Sequence, residues 1–217
     1  KQQDKTINIP DGASLTMQYT TNNGSSCEID YGQFNVEENG TLKMSGVRAS
    51  NLRPIRLGGN VELKNSTIAF STSAGNVNEK NYAFQVIPSD SAFIKAEKTH
   101  FSLPVKQDDE SGVLAKLLKG ANLTMEGIEF SKNANLISAE DGFNSTLNNC
   151  ELESTKNSVI EIKNFNGNCE INYEKTNYLS SNSSTCGAIS IREAIYNSNF
   201  LNIYPENATN IKGEGTV

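Results

Sequence analysis

The pattern that most constrains this chain is a recurrence of short apolar alternations. It is clearest over residues 117–131, where Leu123 and Met125 form one pair and Ile128 and Phe130 the next. A strand turns successive side chains to opposite faces, so apolar residues two apart mark one buried face. No helical stripe fits the segment. A unit this thin cannot bury its own apolar face, so it must stack on copies of itself.

The same grammar runs along the chain. First strands of successive repeats are predicted to open at Ile7, Phe34, Ile55, Phe84, Ala115, Ile137, Ile160, Ile189 and Ile211. These starts give a mean period of about 25 residues, inside the range of repeat architectures. A second inward position usually follows the first strand at a nearly fixed spacing of six, as in Ile9 to Leu15, Val36 to Leu42, Leu57 to Leu63, Leu117 to Leu123 and Ala139 to Ser145. Asp11-Gly12, Asn39-Gly40, Gly58-Gly59 and Gly120 fall in the corner between them, where left-handed backbone angles must be tolerated. Phe70, Phe101 and Phe130, each followed by Ser, predict an aromatic column in the third strands with a hydroxyl ladder beside it. The fold expected is all-β: a right-handed single-stranded parallel β-helix of about eight to nine turns. Residues 1–217 form one domain, since the repeats run without a linker.

Composition fits a thin interior. Hydrophobic residues make up 36% of the chain and Trp is absent, which suits a solenoid core one side chain deep better than a thick globular one. The net charge of −6 argues against nucleic acid as a partner. No apolar run approaches the roughly 18 to 20 residues that would span a bilayer, so no membrane insertion by this segment is expected. The start Lys1-Gln2-Gln3-Asp4 has no signal-peptide core, and a signal peptide is expected to have been removed. The abundance of Asn, Ser and Thr favours an extracellular or cell-surface location. Cys27, Cys150, Cys169 and Cys186 fall at dissimilar positions of their repeats, so mostly buried free thiols are expected, with one disulfide left open.

Long connections at 73–81, 103–111 and 181–186 would project at one edge and wall the outer face of the first sheet. The outward column there reads Asn8, Asn35, Arg56, Gln85, Lys116, Ser138, Glu161, Ser190 and Lys212. Arg56, Gln85 and Lys116 fall in successive repeats beside the loop carrying Asp108, Asp109 and Glu110, and this set is the candidate ligand site. The competing account is a solvated surface with ion pairs worth about 0 to 1 kcal/mol each. Tyr204, beside Pro205, is a further candidate for stacking on a sugar ring. No catalytic residue, metal site or cofactor is expected. The column holds one carboxylate, Glu161, where glycoside hydrolysis needs two, and the sole histidine, His100, is placed outward on the third strand with no triad or zinc spacing around it.

Gly187-Ala188-Ile189, Gly58-Gly59-Asn60-Val61, Phe130-Ser131-Lys132-Asn133 and Phe165-Asn166-Gly167-Asn168 resemble, in part, the Gly-Gly-Ala-Ile and Phe-x-x-Asn repeats of polymorphic outer-membrane adhesins. With its strand pattern, the chain resembles the right-handed parallel β-helix superfamily of pectate-lyase-like enzymes, phage tailspikes and autotransporter passenger domains. That resemblance implies an exported surface or adhesive protein and carries over no functional residue. The function expected is a secreted or cell-surface recognition module for glycans or surface proteins, without catalysis. The alternatives are a polysaccharide lyase or glycoside hydrolase of the same fold, and a structural spacer. Neither end carries an amphipathic cap, so a longer native protein or end-to-end contact with adjoining domains is expected.

Overall fold

The computed structural model describes residues 5–19, 27–71, 82–103 and 112–132, and then the strands between 135 and 211. Side chains are described as far as Glu129 and again at 136–138 and 145–146. The first strands in chain order are β1 (Thr6–Ile9), β2 (Ser14–Gln18), β3 (Cys27–Val36), β4 (Thr41–Ser45), β5 (Val47–Leu52), β6 (Ile55–Leu57), β7 (Asn60–Lys64) and β8 (Thr67–Phe70). There follow β9 (Tyr82–Val86), β10 (Ala92–Glu97), β11 (His100–Ser102), β12 (Val113–Leu117), β13 (Asn122–Glu126), β14 (Glu129–Lys132), β15 (Asn135–Ala139) and β16 (Phe143–Asn148). The last are β17 (Glu151–Ser154), β18 (Ile160–Lys163), β19 (Asn168–Glu174), β20 (Asn177–Ser180), β21 (Ile189–Arg192), β22 (Phe200–Glu206) and β23 (Thr209–Ile211). No helix occurs among the described residues.

Neighbours in each sheet are parallel and lie one repeat apart. Second strands stack in the order β2-β4-β7-β10-β13-β16-β19-β22. First strands stack as β3-β6-β9-β12-β15-β18-β21, with β1 also on β3. The long strand β3 turns a corner: Cys27 to Gly32 pair with β5, and Gln33 to Val36 pair with β1. Third strands therefore continue the first sheet as β3-β5-β8-β11, whereas β14-β17-β20-β23 form a separate sheet. The result is an all-β chain of stacked parallel strands, compatible with a β-solenoid.

Inward columns are apolar, as expected from the alternation. Ile9, Val36, Leu57, Val86 and Leu117 follow one another in register and are essentially inaccessible. Leu15, Leu42, Val61, Ile94 and Met125 do the same on the second strands, with Leu15 half-buried at the end. Ser145 also takes an inward place, beside Leu123, and is buried. Cys27 is a half-buried free thiol packed against the core.

Leu63 lies six residues after Leu57 but out of register with Leu42, and Leu123, six after Leu117, likewise stands beside Ala92 while Met125 continues the Leu42 column. Leu63 stands beside Met44, and Val61 takes the place beside Leu42. The cause at Leu63 is the corner. Two residues, Gly58 and Gly59, join β6 to β7, whereas four separate β3 from β4. The shortening is by two residues, so parity is preserved and Leu63 remains buried. A Cβ on Gly59 would lie 2.3 Å from the carbonyl oxygens of Glu37 and Gly40. Only glycine permits this contraction.

The aromatic column also differs. Phe101 pairs with Ile68 rather than Phe70, and Phe70 pairs with Leu52 past a register shift in β5. Ser102 consequently pairs with Ala69, so no ladder links it to Ser71. The rings of Phe70 and Phe101 instead meet across the interior, each edge-on to Phe84 of the first sheet, at centroid distances of 5.7 and 6.2 Å. Phe130 lies on β14, which pairs with β17 and not β11. Ile211 is likewise not a ninth first strand: it ends β23 and pairs with Tyr178 of β20, a third-strand position.

The corner after each second strand was not anticipated. Gly46, Asn65, Lys98 and Gly127 occupy it in four successive repeats, all with φ between 48° and 66°. Glycine and asparagine adopt this region readily, and lysine does so under strain. At the first corner Gly120 has φ 74°, and a methyl group added to it would meet nothing within 4 Å. The two kinds of glycine should respond differently. Gly59→Ala is expected to cost about 3 kcal/mol or more, because backbone cannot swing aside as side chains do, against about 1 to 2 kcal/mol for Gly120→Ala, which is angular strain alone. Urea denaturation of both variants checks this, and equal losses would show that the β6–β7 corner widens to admit a methyl group.

Candidate functional site

Because β strands one repeat apart are in register, the outward residues of the first sheet line up. Asn8 pairs with Asn35, Asn35 with Arg56, Arg56 with Gln85, Gln85 with Lys116, and Lys116 with Ser138. The column continues through Glu161 to Ser190. Arg56, Gln85 and Lys116 are therefore adjacent, one strand spacing of about 4.8 Å apart. Arg56 is exposed, and Gln85 and Lys116 are half-buried.

Three contacts bear on this column. The Asn35 Nδ2 amide donates to Asn8 Oδ1 at 3.2 Å, which settles the orientation of both amides at one end. At the other, Gln85 Nε2 donates to the Tyr82 hydroxyl at 3.3 Å, and the Lys116 ammonium lies 5.8 Å from the centre of the Tyr82 ring. A cation over an aromatic face at a partly exposed site gains about 0.5 to 1 kcal/mol. Tyr82 was missed from sequence because its ring is buried and it opens a strand. The available signal was its place three residues before Gln85, matching Val113 before Lys116.

Other candidates lie elsewhere. Tyr204 is on β22 of the second sheet, in register with Asn172, and does not join the first-sheet set. Asp108, Asp109, Glu110 and Lys212, and the long connections themselves, lie outside the described residues. His100 is exposed on β11. Among the described residues no group of three His, Cys, Asp or Glu side chains is placed to hold a metal ion.

The outer face of the second sheet has the opposite electrostatic character. Thr16, Lys43, Glu62, Lys95 and Glu126 stack in register, and signs alternate along the column. Lys43 pairs with Glu62 at 3.0 Å, Lys64 with Glu97 at 2.9 Å, and Lys95 with Glu126. A groove of about 270 Å³ here is lined by Lys43, Glu62, Lys64, Lys95 and Glu97 together with Met17, Met44 and Leu63. Every cation here has a carboxylate, so the groove offers little net field to a ligand.

Hydrogen bonding and attraction to Glu126 raise the Lys95 ammonium above its ordinary value, and the hydrogen bond from Lys64 lowers the Glu97 carboxyl below its own. The signs give opposite pH windows. Stability from Glu97 is present above the ordinary carboxylate value and lost as pH falls through the lowered one; stability from Lys95 is lost only as pH rises above the ordinary lysine value. Glu97→Gln is therefore expected to lower Tm slightly at pH 7, with the gap to wild type closing as the solution is acidified through pH 4 to 3. Melting curves across that range check it, and a gap independent of pH would show that the pair contributes nothing through charge.

Compared with known proteins, the chain matches no family model, no curated protein and no solved structure. Its class rests on the fold: an all-β stack of parallel strands carrying an aligned polar column on one outer face and a neutralised charge ladder on another.

Proposed function

We propose that this chain is a secreted or cell-surface recognition module that holds a glycan or a protein surface and performs no catalysis. The scaffold we propose is a right-handed, single-stranded parallel β-helix of about eight turns, of the pectate-lyase-like kind. The eight-stranded second sheet supports that number. The observation that carries the function is the first-sheet column. From Asn8 to Ser138 it presents amides, a guanidinium, an ammonium and a hydroxyl in register, with no carboxylate among them. Donors repeated at a fixed spacing suit an extended ligand lying along the stack, and Arg56 and Lys116 favour one that bears carboxylates or is rich in acceptors.

Loops on a rigid scaffold and an open outer face are the ordinary places for binding. Extracellular placement is proposed from the Asn, Ser and Thr content. The experiment is retention and turnover measured together on plant, bacterial and host glycans, with and without calcium, for wild type and for Arg56→Ala/Gln85→Ala/Lys116→Ala. Loss of three contacts, two of them charged, is expected to weaken binding by about tenfold or more. Unchanged affinity would remove the column from the site, and release of unsaturated or reducing ends would overturn the non-catalytic assignment.

A further inference from the structure

The corner where third strands turn into first strands holds Tyr31 with φ 59° and, beside it in the next repeat, Asn51 with φ 54°. Asp30 pairs with Ser50 and Gly32 with Leu52, so Tyr31 and Asn51 are in register. Asparagine enters the left-handed region readily, and an aromatic residue does so against steric resistance. Burial does not offset that resistance, since Tyr31 is 51% exposed, the most exposed large hydrophobic side chain among the described residues. A strained residue whose ring adds little to the core has its reason outside the core.

The surroundings indicate what the ring meets. Asp30 Oδ1 accepts hydrogen bonds from Ser50 Oγ and from Asn51 Nδ2, each at 2.9 Å, which fixes the carboxylate of the residue next to Tyr31 in the chain. Glu28 and Arg48, paired across the same strands, are exposed as well. The exposed tyrosine is thus the neighbour, in sequence and in register, of an oriented carboxylate, an amide and a hydroxyl, with the charged Glu28 and Arg48 on the same pair of strands. A protein interface would normally centre on a desolvated apolar cluster. A pyranose ring matches this corner better, having an apolar C–H face for the ring and equatorial hydroxyls for the acid and amide.

We infer that this corner is a glycan subsite, with Tyr31 as the stacking platform and Asp30 and Asn51 as the hydroxyl-binding pair. The inference rests on the recognition function proposed above and extends it to a second position. Glycine at 31 removes the ring and the strain together, which separates function from structure. Titration of cellohexaose, chitohexaose and hexagalacturonate into wild type, Tyr31→Phe and Tyr31→Gly, with melting curves for each, is the test. Lys98→Gly, which relieves strain at another corner, is the control. Wild type and Tyr31→Phe are expected to bind at least one sugar within about twofold of each other, and Tyr31→Gly about tenfold more weakly, with Tm equal to or above wild type. Lys98→Gly is expected to melt higher and bind normally. Undiminished binding by Tyr31→Gly, or a clear fall in its Tm, would overturn the subsite while leaving the first-sheet column intact. Failure of wild type to bind any of the three sugars would overturn the subsite and the glycan form of the proposed function together.

Discussion

Each inward column is one side chain deep, and that fact governs the rest of the structure. The neighbours of Val36 in register are Ile9 on one side and Leu57 on the other. Removal of such a side chain from water gives about 1.5 to 3 kcal/mol only when both neighbours are present. Fixing the backbone costs about 1 to 2 kcal/mol per residue whether they are present or not. A single repeat is therefore unstable, and stability accumulates along the stack. Parallel register is the means: it keeps each inward residue over another inward residue, and by the same geometry aligns whatever points outward.

This coupling explains what was legible in the chain. Apolar alternation located the first strands because one face is wholly buried, and a slip of one residue would expose it. From that, the outward order Asn35, Arg56, Gln85, Lys116 followed without knowledge of any contact, and the structure pairs those residues. Alternation is blind to slips of two. Leu63 moved by two because Gly58 and Gly59 contract a corner, and Phe101 fell beside Ile68, two places short of Phe70. Both errors preserve parity, so neither disturbs the pattern from which the strands were read. Tyr82 was missed for a different reason: it is a buried residue at the start of a strand, and burial gave no sign of its contacts with Gln85 and Lys116.

Corners carry the remaining constraint. A stack of parallel strands must turn at the same places in each repeat, so residues of like conformation accumulate in columns there as apolar residues do in the core. Gly46, Asn65, Lys98 and Gly127 show the requirement in four successive repeats, met three times by residues that tolerate it. Lys98 shows that the backbone conformation is imposed by its neighbours: Asn65 donates its backbone N–H to the Glu97 carbonyl at 2.9 Å, tying the two repeats together at the bend. Backbone pairing thus overrides local preference.

The two outer faces show how the same register yields opposite electrostatics. On the second sheet, charges of alternating sign fall one strand apart, so each is satisfied by its neighbour, as Lys43 is by Glu62. On the first sheet, Arg56 and Lys116 are two strands apart, roughly 10 Å, with Gln85 between them, and the next carboxylate in the column is Glu161. Two like charges at that spacing repel weakly in water, and the column itself places no carboxylate between them. Against a chain whose net charge is −6, this makes a narrow basic stripe on an acidic molecule. Such a stripe cannot attract polyanions over long distances, because the surrounding charge is screened and of the wrong sign. In the recognition role proposed for it, it would orient an acidic group once contact is made, and specificity would come from the fixed spacing of donors and not from steering.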